Sequence, residues 1–192
     1  MVDETGRLLR HHNGSLWITC RIQFRDWSHP LDAPRTWTPL FFLDDAVALA
    51  AGHRPCGLCR RDDYLAYRDA VTLGIGTNQP LMATELNRRL AAERHRQGRG
   101  LTRAQDRILT PGDLETLPTG TVVVHPSTNE PHLVIEDRLQ PFSFAGWGPA
   151  IDRPNGVPWE TLTPPTSIIA LAGGFVPQLH PTAVSPPGPA RL

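Results

Sequence analysis

The sequence predicts an α+β fold, in which a small strand-and-helix domain precedes a mostly β unit. Residues 7–25 form two strand-like runs, apolar side chains then recur at helical spacing, and short apolar runs beyond residue 110 alternate with proline and glycine. The order of these patterns divides the chain into an N-terminal domain, a helical arginine-rich connector, a small β-rich domain and a disordered tail. We place these units at 1–74, 75–109, 110–182 and 183–192.

The N-terminal segment predicts a β-hairpin followed by a loop. Asn-Gly is the commonest sequence of a tight hairpin turn because both positions accept positive φ, so Asn13-Gly14 would place Cys20 on the second strand. The stretch 26–39 contains three prolines and has no clear period, which predicts a loop. The apolar run that follows, residues 40–43, predicts a short strand.

Three helices are predicted in the middle of the chain. Asp44 can cap the first helix, and Gly52 suits the left-handed residue that closes it. A second helix begins near Asp62, where acidic residues favour the positive end of the helix dipole, and it ends around Gly74. The third helix covers residues 84–97.

The last part of the sequence predicts short strands and one helix. The apolar runs at 121–124 and 132–136 are bounded by proline-rich and glycine-rich turns, which is typical of strands in a small β unit. The run 166–172 predicts a late helix that stops at the glycine pair after it.

The composition favours a globular protein and excludes some chemistry. All 19 basic residues are arginine, which excludes catalysis by a lysine amine. The formal net charge is zero, so any attraction to nucleic acid has to be local. No apolar run approaches the roughly 20 residues of a membrane span, and acidic residues stand where a signal peptide would be apolar. We therefore expect a cytoplasmic protein without a membrane partner.

Cys56 and Cys59 form a C-x2-C pair, which predicts half of a zinc site. Two sulfurs at this spacing reach one ion from a single turn, and zinc prefers tetrahedral thiolate and imidazole ligands. A pair alone also fits redox-active or buried thiols. In a reducing compartment, this pair together with Cys20 favours metal or redox chemistry over a disulfide framework.

The run LFFLDDAVALAAGHRPCGLCRR, residues 40–61, resembles the second half of the Ada metal-binding domain of bacterial DNA-repair proteins. In that family a short strand and an alanine-rich helix end in Gly-aromatic-Arg-Pro-Cys-x-x-Cys. The run GRLLRHHNGSLWITCR, residues 6–21, is similar to the family hairpin that leads to its first zinc cysteine and an arginine, here Cys20 and Arg21. The resemblance covers about residues 6–70 and implies an Ada-like zinc-binding fold for the first domain.

The resemblance implies a four-ligand site, but Phe24 stands where the family has its second cysteine. Histidine is the usual substitute for a thiolate ligand. His29 precedes Cys56 by the same 27 positions that separate the family's second and third cysteines. The predicted metal ligands are therefore Cys20, Cys56, Cys59 and His29, with zinc as the cofactor.

Three other histidines are alternatives for the fourth ligand. His53 lies three residues before Cys56, but the family has a packed aromatic residue there, which favours a role in the core. His11 and His12 lie beside the hairpin turn, several residues from Cys20, where exposed or hydrogen-bonded turn histidines are common.

The stretch 88–107 is the one basic concentration in the chain. Guanidinium groups suit phosphates because their planar donors bind two oxygens at once, so this stretch predicts contact with DNA. The alternative is a solvated helix face with ion pairs such as Glu85 to Arg89. The residues predicted to contact nucleic acid are Arg21, Arg88, Arg89, Arg94 and Arg96.

These features predict a zinc-stabilised binding module whose partner is DNA or another protein. No catalytic spacing stands out, so an enzyme is not the leading hypothesis. The resemblance implies an alternative, because in Ada the first cysteine accepts a methyl group from a DNA phosphotriester, which would make Cys20 reactive and give the chain a role in DNA repair. A zinc-stabilised protein-interaction domain without nucleic-acid binding is the third hypothesis.

Overall fold

A computed structural model describes residues 3–5, 7, 14–26, 39–94, 107–154, 156 and 159–183 of the 192-residue chain. Helices and an antiparallel sheet both occur, so the predicted α+β class is confirmed at this level. The helices of the described part are α1 (Asp45–Ala50), α2 (Arg61–Gly74), α3 (Ala83–Arg94) and α4 (Pro165–Ala172). None of these helices is long and apolar enough to cross a membrane.

The strands fall into two sheets. A two-stranded parallel sheet pairs β1 (Ile18–Thr19) with β2 (Arg54–Pro55). The larger, seven-stranded sheet has the order β3-β9-β4-β5-β6-β7, and β8 pairs with β6. Its strands are β3 (Thr110–Gly112), β4 (Val122–Val124), β5 (Pro131–Ile135), β6 (Arg138–Ser143), β7 (Gly146–Trp147), β8 (Ile151–Asp152) and β9 (Trp159–Thr161).

The large sheet is covered by apolar side chains on both faces. Along β4, Val122 belongs to one buried cluster and Val123 to another, as expected when successive side chains point to opposite faces. On the first face, Ala46 and Ala50 of α1 pack against the sheet. On the second face, the cluster has these buried members: Leu114, Val123, Val134, Leu139 and Trp159.

A third cluster joins the helices. Tyr67 of α2 is fully buried, and its hydroxyl lies 3.0 Å from the hydroxyl of Ser167 on α4. Glu93 of α3 accepts hydrogen bonds from the backbone N–H and the hydroxyl of Thr166, so its carboxylate lies at the N-terminus of α4. Helices from both predicted domains therefore share one apolar core, while the domain boundaries themselves stay a prediction.

The sequence signals around α1 are confirmed. Asp44 accepts a hydrogen bond from the Val47 N–H, 3.0 Å away, as an N-cap residue does. Gly52 has φ +81, and its N–H and that of His53 bond back to Leu49 and Ala48, which is the Schellman pattern of a helix C-terminus. A side chain at Gly52 would also collide with the Arg94 chain that crosses it.

Of two expectations for the N-terminal part, one is wrong and the other falls largely outside the described residues. The strand predicted at 40–43 is wrong, because this run forms no ladder and Leu40 and Phe41 are each 67% exposed. Most of the first strand of the predicted hairpin lies outside the described residues, and β1, its second strand, pairs in parallel with β2. The later helix and strand predictions are confirmed, with α3 described as far as Arg94.

Candidate metal centre

The parallel sheet brings the first cysteine to the C-x2-C pair. Arg54 donates its N–H to the Trp17 carbonyl at 3.3 Å, and Cys56 donates to the Thr19 carbonyl at 3.0 Å. Cys20 directly follows β1 and Cys56 directly follows β2. Because parallel strands run in the same direction, residues that follow their ends meet at one edge.

The three cysteine sulfurs form a compact cluster. The Sγ atoms of Cys20, Cys56 and Cys59 all lie within 4.8 Å of one another. Sulfurs around one tetrahedral zinc are about 3.8 Å apart, given Zn–S bonds of about 2.3 Å. The three cysteines are thus close enough to coordinate a single metal ion. Cys56 and Cys59 are buried, at 7% and 8% exposure, whereas Cys20 is exposed.

Backbone N–H groups point at two of the sulfurs. Leu58 donates to Cys56 Sγ at 3.4 Å, and Arg21 donates to Cys59 Sγ at 3.3 Å. The first bond comes from the turn between the paired cysteines, and the second comes from the segment after Cys20. Such donors favour the thiolate form, which is the form that binds metal.

The pKa values of two of the thiols depart from the ordinary value in opposite directions. Partial burial, together with repulsion from Cys56 and Cys59, raises the pKa of the Cys20 thiol to about 12. Burial also opposes ionisation of Cys56, but hydrogen bonds from the backbone of Cys59 and Leu58 and from the other two thiols together outweigh it and lower the pKa of that thiol. Three thiolates at this separation would repel one another, and a divalent cation held by Cys20, Cys56 and Cys59 would offset that repulsion.

A buried arginine connects the segments that carry the cysteines. Arg60 directly follows Cys59, and its guanidinium forms a bidentate ion pair with Asp45 at 2.6 and 2.7 Å. It also donates to Asp63 at 2.8 Å and to the Thr19 hydroxyl at 3.1 Å. Asp45 Oδ2 further accepts the backbone N–H of Gln178 at 3.0 Å. The cysteine cluster is therefore tied to α1 and to the chain after α4.

Of the histidines considered as the fourth ligand, only His53 lies among the described residues. His29, the first choice, and His11 and His12 lie outside the described residues. His53 is placed between Trp17 and Phe42, with ring centroids 5.1 and 4.8 Å apart. It is not among the described residues that share a cluster of metal-ligating atoms, and its position fits the core role expected for it.

The environment of His53 keeps its ring neutral. Burial lowers its pKa to about 4, and the positive charges of Arg94 and Arg107 act in the same direction. Its Nδ1 atom is buried without a hydrogen-bond partner. The imidazole thus replaces the packed aromatic ring that the family resemblance implied at this position.

The arginines predicted to contact nucleic acid have three different environments. Arg88 and Arg89 both bind the Glu85 carboxylate, at 2.8 and 2.9 Å, so the ion pair considered as the alternative is formed. Arg21 is exposed, and Arg96 lies outside the described residues. Only 2% of Arg94 is exposed, and its guanidinium stacks 3.9 Å from the Trp17 ring centroid.

The burial of Arg94 differs from the surface role expected for it. Its guanidinium donates to the Gly52 carbonyl at 3.0 Å and to the Ser15 carbonyl at 3.2 Å. The buried residues of α3 are Leu86, Leu90 and Arg94, which recur every four positions. This spacing in the sequence would have predicted that Arg94 lies on the inner face of the helix.

The sequence reasoning also missed the residues that hold the cysteines in place. These residues are Arg60, Asp45 and Thr19, and they come from three separate segments. The signal in the sequence was position alone, because Arg60 follows Cys59, Asp45 starts a helix and Thr19 precedes Cys20.

Comparison with family models, with curated proteins and with solved structures found no match to this chain.

Proposed function

We propose that this chain is a zinc-binding protein in which Cys20, Cys56 and Cys59 hold one structural ion. The observation that carries the proposal is the convergence of three thiols, from two segments far apart in sequence, within 4.8 Å of one another. Three sulfur ligands select a soft or borderline metal such as zinc over magnesium or calcium, which prefer oxygen.

The weak packing of the Cys20 segment supports a structural role for the ion. No residue of the described stretch 14–26 is buried. The stretch is joined to the rest by a two-residue strand pair and by side-chain hydrogen bonds such as that of Thr19. Where an apolar core is lacking, the free energy of metal binding stabilises the folded state. Zinc would therefore provide the stabilisation of the Cys20 segment that apolar burial does not provide.

The Ada-like assignment is part of this proposal. The features of the resemblance are a helix that stops at Gly52, the sequence Arg-Pro-Cys-x-x-Cys and a strand that ends directly before Cys20, and the geometry of the described residues is compatible with it. His29 remains the predicted fourth ligand. We leave DNA out of the proposed function, because Arg88 and Arg89 are paired with Glu85 and Arg94 is buried.

The exposure of Cys20 favours a second candidate function, a reactive zinc thiolate. Two of the sulfurs are buried, but Cys20 is exposed, so an electrophile in solution reaches this one first. A zinc-bound thiolate retains nucleophilic character, and the family resemblance implies methyl acceptance at this position. With methyl iodide, the Cys20 sulfur would attack the carbon, and iodide would leave. A mass increase of one methyl group on Cys20, faster than on Cys56 or Cys59, would support this candidate.

Metal analysis tests the zinc proposal. We expect about one zinc per wild-type chain, and we expect Cys56→Ser and Cys59→Ser each to lose most of it because a site with two sulfurs binds weakly. Full zinc occupancy in the double variant would reject the proposal. For the fourth ligand, His29→Ala should weaken zinc binding more than the control variants His53→Ala and His12→Ala do. Equal affinities in all three would remove His29 from the site.

A further inference from the structure

We propose that Arg60 is the positioning residue of the metal centre, because its guanidinium fixes the strand before Cys20 against the turn that carries Cys56 and Cys59. This inference rests on the proposed zinc site and assigns a role within it. The described hydrogen bonds of the Arg60 side chain go to Asp45, Asp63 and Thr19 and not to a sulfur. Arg60 acts through the backbone segments to which the three sulfurs are attached.

The contacts of Arg60 span the whole site. The residue is 8% exposed, and its guanidinium uses Nε, Nη1 and Nη2 as donors. The bidentate pair with Asp45 fixes the plane of the guanidinium, and the bond to Asp63 anchors it to the first turn of α2. One further N–H of Nη1 points across to Thr19 on β1 at 3.1 Å.

Thr19 is the residue through which Arg60 would fix the position of Cys20. Its carbonyl accepts the Cys56 N–H at 3.0 Å, and its hydroxyl accepts from Arg60. Both partners lie in the segment of the cysteine pair, because Cys56 is its first member and Arg60 directly follows its second member, Cys59. The parallel pair is only two residues long, so the bond from Arg60 to the Thr19 hydroxyl adds to the few contacts that hold Cys20 in register.

The charge of Arg60 does not explain its position. Its guanidinium is shared between the carboxylates of Asp45 and Asp63, so the group of three side chains carries a net negative charge. Such a group cannot neutralise thiolates. The relevant property is the planar guanidinium, which holds several N–H donors in fixed directions. A lysine ammonium would reproduce the charge without that arrangement of donors.

Substitution at Thr19 tests this role without removing a buried charge. Thr19→Val keeps the shape of the side chain and removes the acceptor for Arg60, together with the long hydrogen bond that the hydroxyl donates to the Arg54 carbonyl at 3.5 Å. Thr19→Ser keeps the hydroxyl and is the matched control. Zinc affinity of the full chain would be measured by competition with a chelator. The site geometry would be measured from the visible absorption spectrum of the cobalt(II)-loaded protein.

We expect Thr19→Val to weaken zinc about tenfold and to shift the cobalt spectrum, because loss of a shell that orients the ligands typically costs about 10–100-fold in metal affinity. Thr19→Ser should behave like the wild type. Arg60→Lys should reproduce the effect of Thr19→Val, and the double variant should be no weaker than Arg60→Lys alone. That lack of additivity separates positioning through Thr19 from a loss of general stability.

The possible outcomes distinguish failure of the proposed zinc site from failure of the role assigned to Arg60. Wild-type protein that binds neither zinc nor cobalt would reject the proposed function itself. Wild-type metal binding combined with unchanged affinity and an unchanged cobalt spectrum in Thr19→Val would overturn the role of Arg60 and leave the zinc site intact. Fully additive effects of Thr19→Val and Arg60→Lys would also overturn it, because the two residues would then act independently.

Discussion

The large sheet and the Cys20 segment are held in place by different means. In the sheet, all residues of β4 and four of the five residues of β5 are buried, and ladders of hydrogen bonds connect seven strands. In the stretch 14–26, no described residue is buried and the ladder involves two residues. Apolar burial therefore contributes most to the stability of the sheet, whereas the Cys20 segment depends on polar contacts, on the ring contacts of Trp17 and on the metal proposed here.

The boundary between the two regions consists of charged side chains. Asp44 and Asp45 at the start of α1 accept bonds from Trp147, Gln178 and His180, all from the C-terminal half of the chain. Arg60 joins Asp45 from the cysteine side. Substitutions made separately in the Cys20 segment, at this boundary and in the helical core show whether the two regions unfold together or one before the other.

The largest expected effect comes from removing the metal ligands. In Cys56→Ser, we expect amide exchange in 17–20 and 54–59 to be accelerated about a hundredfold or more, because local opening then costs little free energy. Amides of β4 and β5 should keep their protection. Hydrogen exchange followed by mass spectrometry measures both regions in one sample. Equal acceleration in the sheet would contradict the comparison and show that the two regions form one cooperative unit.

The next effect concerns His53, which packs against Trp17 of the Cys20 segment. Its pKa is about 4 in the folded chain and near 6.5 in the unfolded chain, so the unfolded state binds more protons between these values. The stability contribution is complete above pH 6.5 and is lost as pH falls towards 4, by about 3 kcal/mol in total.

The variant His53→Phe should lose this acid sensitivity while it keeps a ring between Trp17 and Phe42. Urea unfolding of the zinc-loaded wild type and His53→Phe at a series of pH values measures the effect, because the metal-linked titration of the thiol ligands is common to both and cancels in the difference. Parallel pH profiles for the wild type and His53→Phe would show that His53 is not the group responsible.

A smaller effect is expected at Asp44, on the boundary. Its carboxylate caps α1 and accepts the Trp147 indole N–H at 2.7 Å and the His180 N–H at 3.1 Å. Asp44→Ala should lower the free energy of unfolding by about 2 kcal/mol, since both a helix cap and a buried donor lose their partner. Zinc content should stay near one per chain. Loss of zinc in this variant would mean that the boundary and the metal centre are not separable.

The smallest effect is expected at Glu93, within the helical core. Its carboxylate bonds to Thr166 at 2.9 and 2.7 Å, at the positive end of α4. Glu93→Gln keeps one acceptor oxygen but removes the charge, so thermal unfolding should show a loss of about 1 kcal/mol. Glu93→Ala, which removes both acceptors, should lose more. Equal stability of the wild type and Glu93→Ala would show that this cap does not stabilise α4.

Features with a local cause were predicted from the sequence. The limits of α1 follow from Asp44 and Gly52, whose effects act within one turn of the chain. The start of α2 follows from acidic residues in its first turn. The importance of Cys56 and Cys59 followed in the same way, because two ligands three positions apart need no knowledge of the rest of the fold.

Features that depend on distant partners were not predicted. The parallel pairing of Ile18 with Arg54 joins residues far apart in the chain, and neither segment carries a sign of its partner. The run 40–43 has the composition of a strand, but it pairs with no strand in the part of the chain that the structure describes. Arg94 was taken for a surface cation, because the sequence does not show that Trp17 and two carbonyl oxygens surround its guanidinium.

The parallel direction of β1 and β2 has a consequence for how the chain can vary. Strands that run in the same direction need a long connection, and here Cys20 and Cys56 are 36 positions apart. The entropic cost of closing such a loop grows only logarithmically, so doubling its length adds about 0.6 kcal/mol. Insertions between the two cysteines should therefore change metal affinity only slightly, whereas a shift of one residue in the β1–β2 register would displace Cys20 from the site altogether.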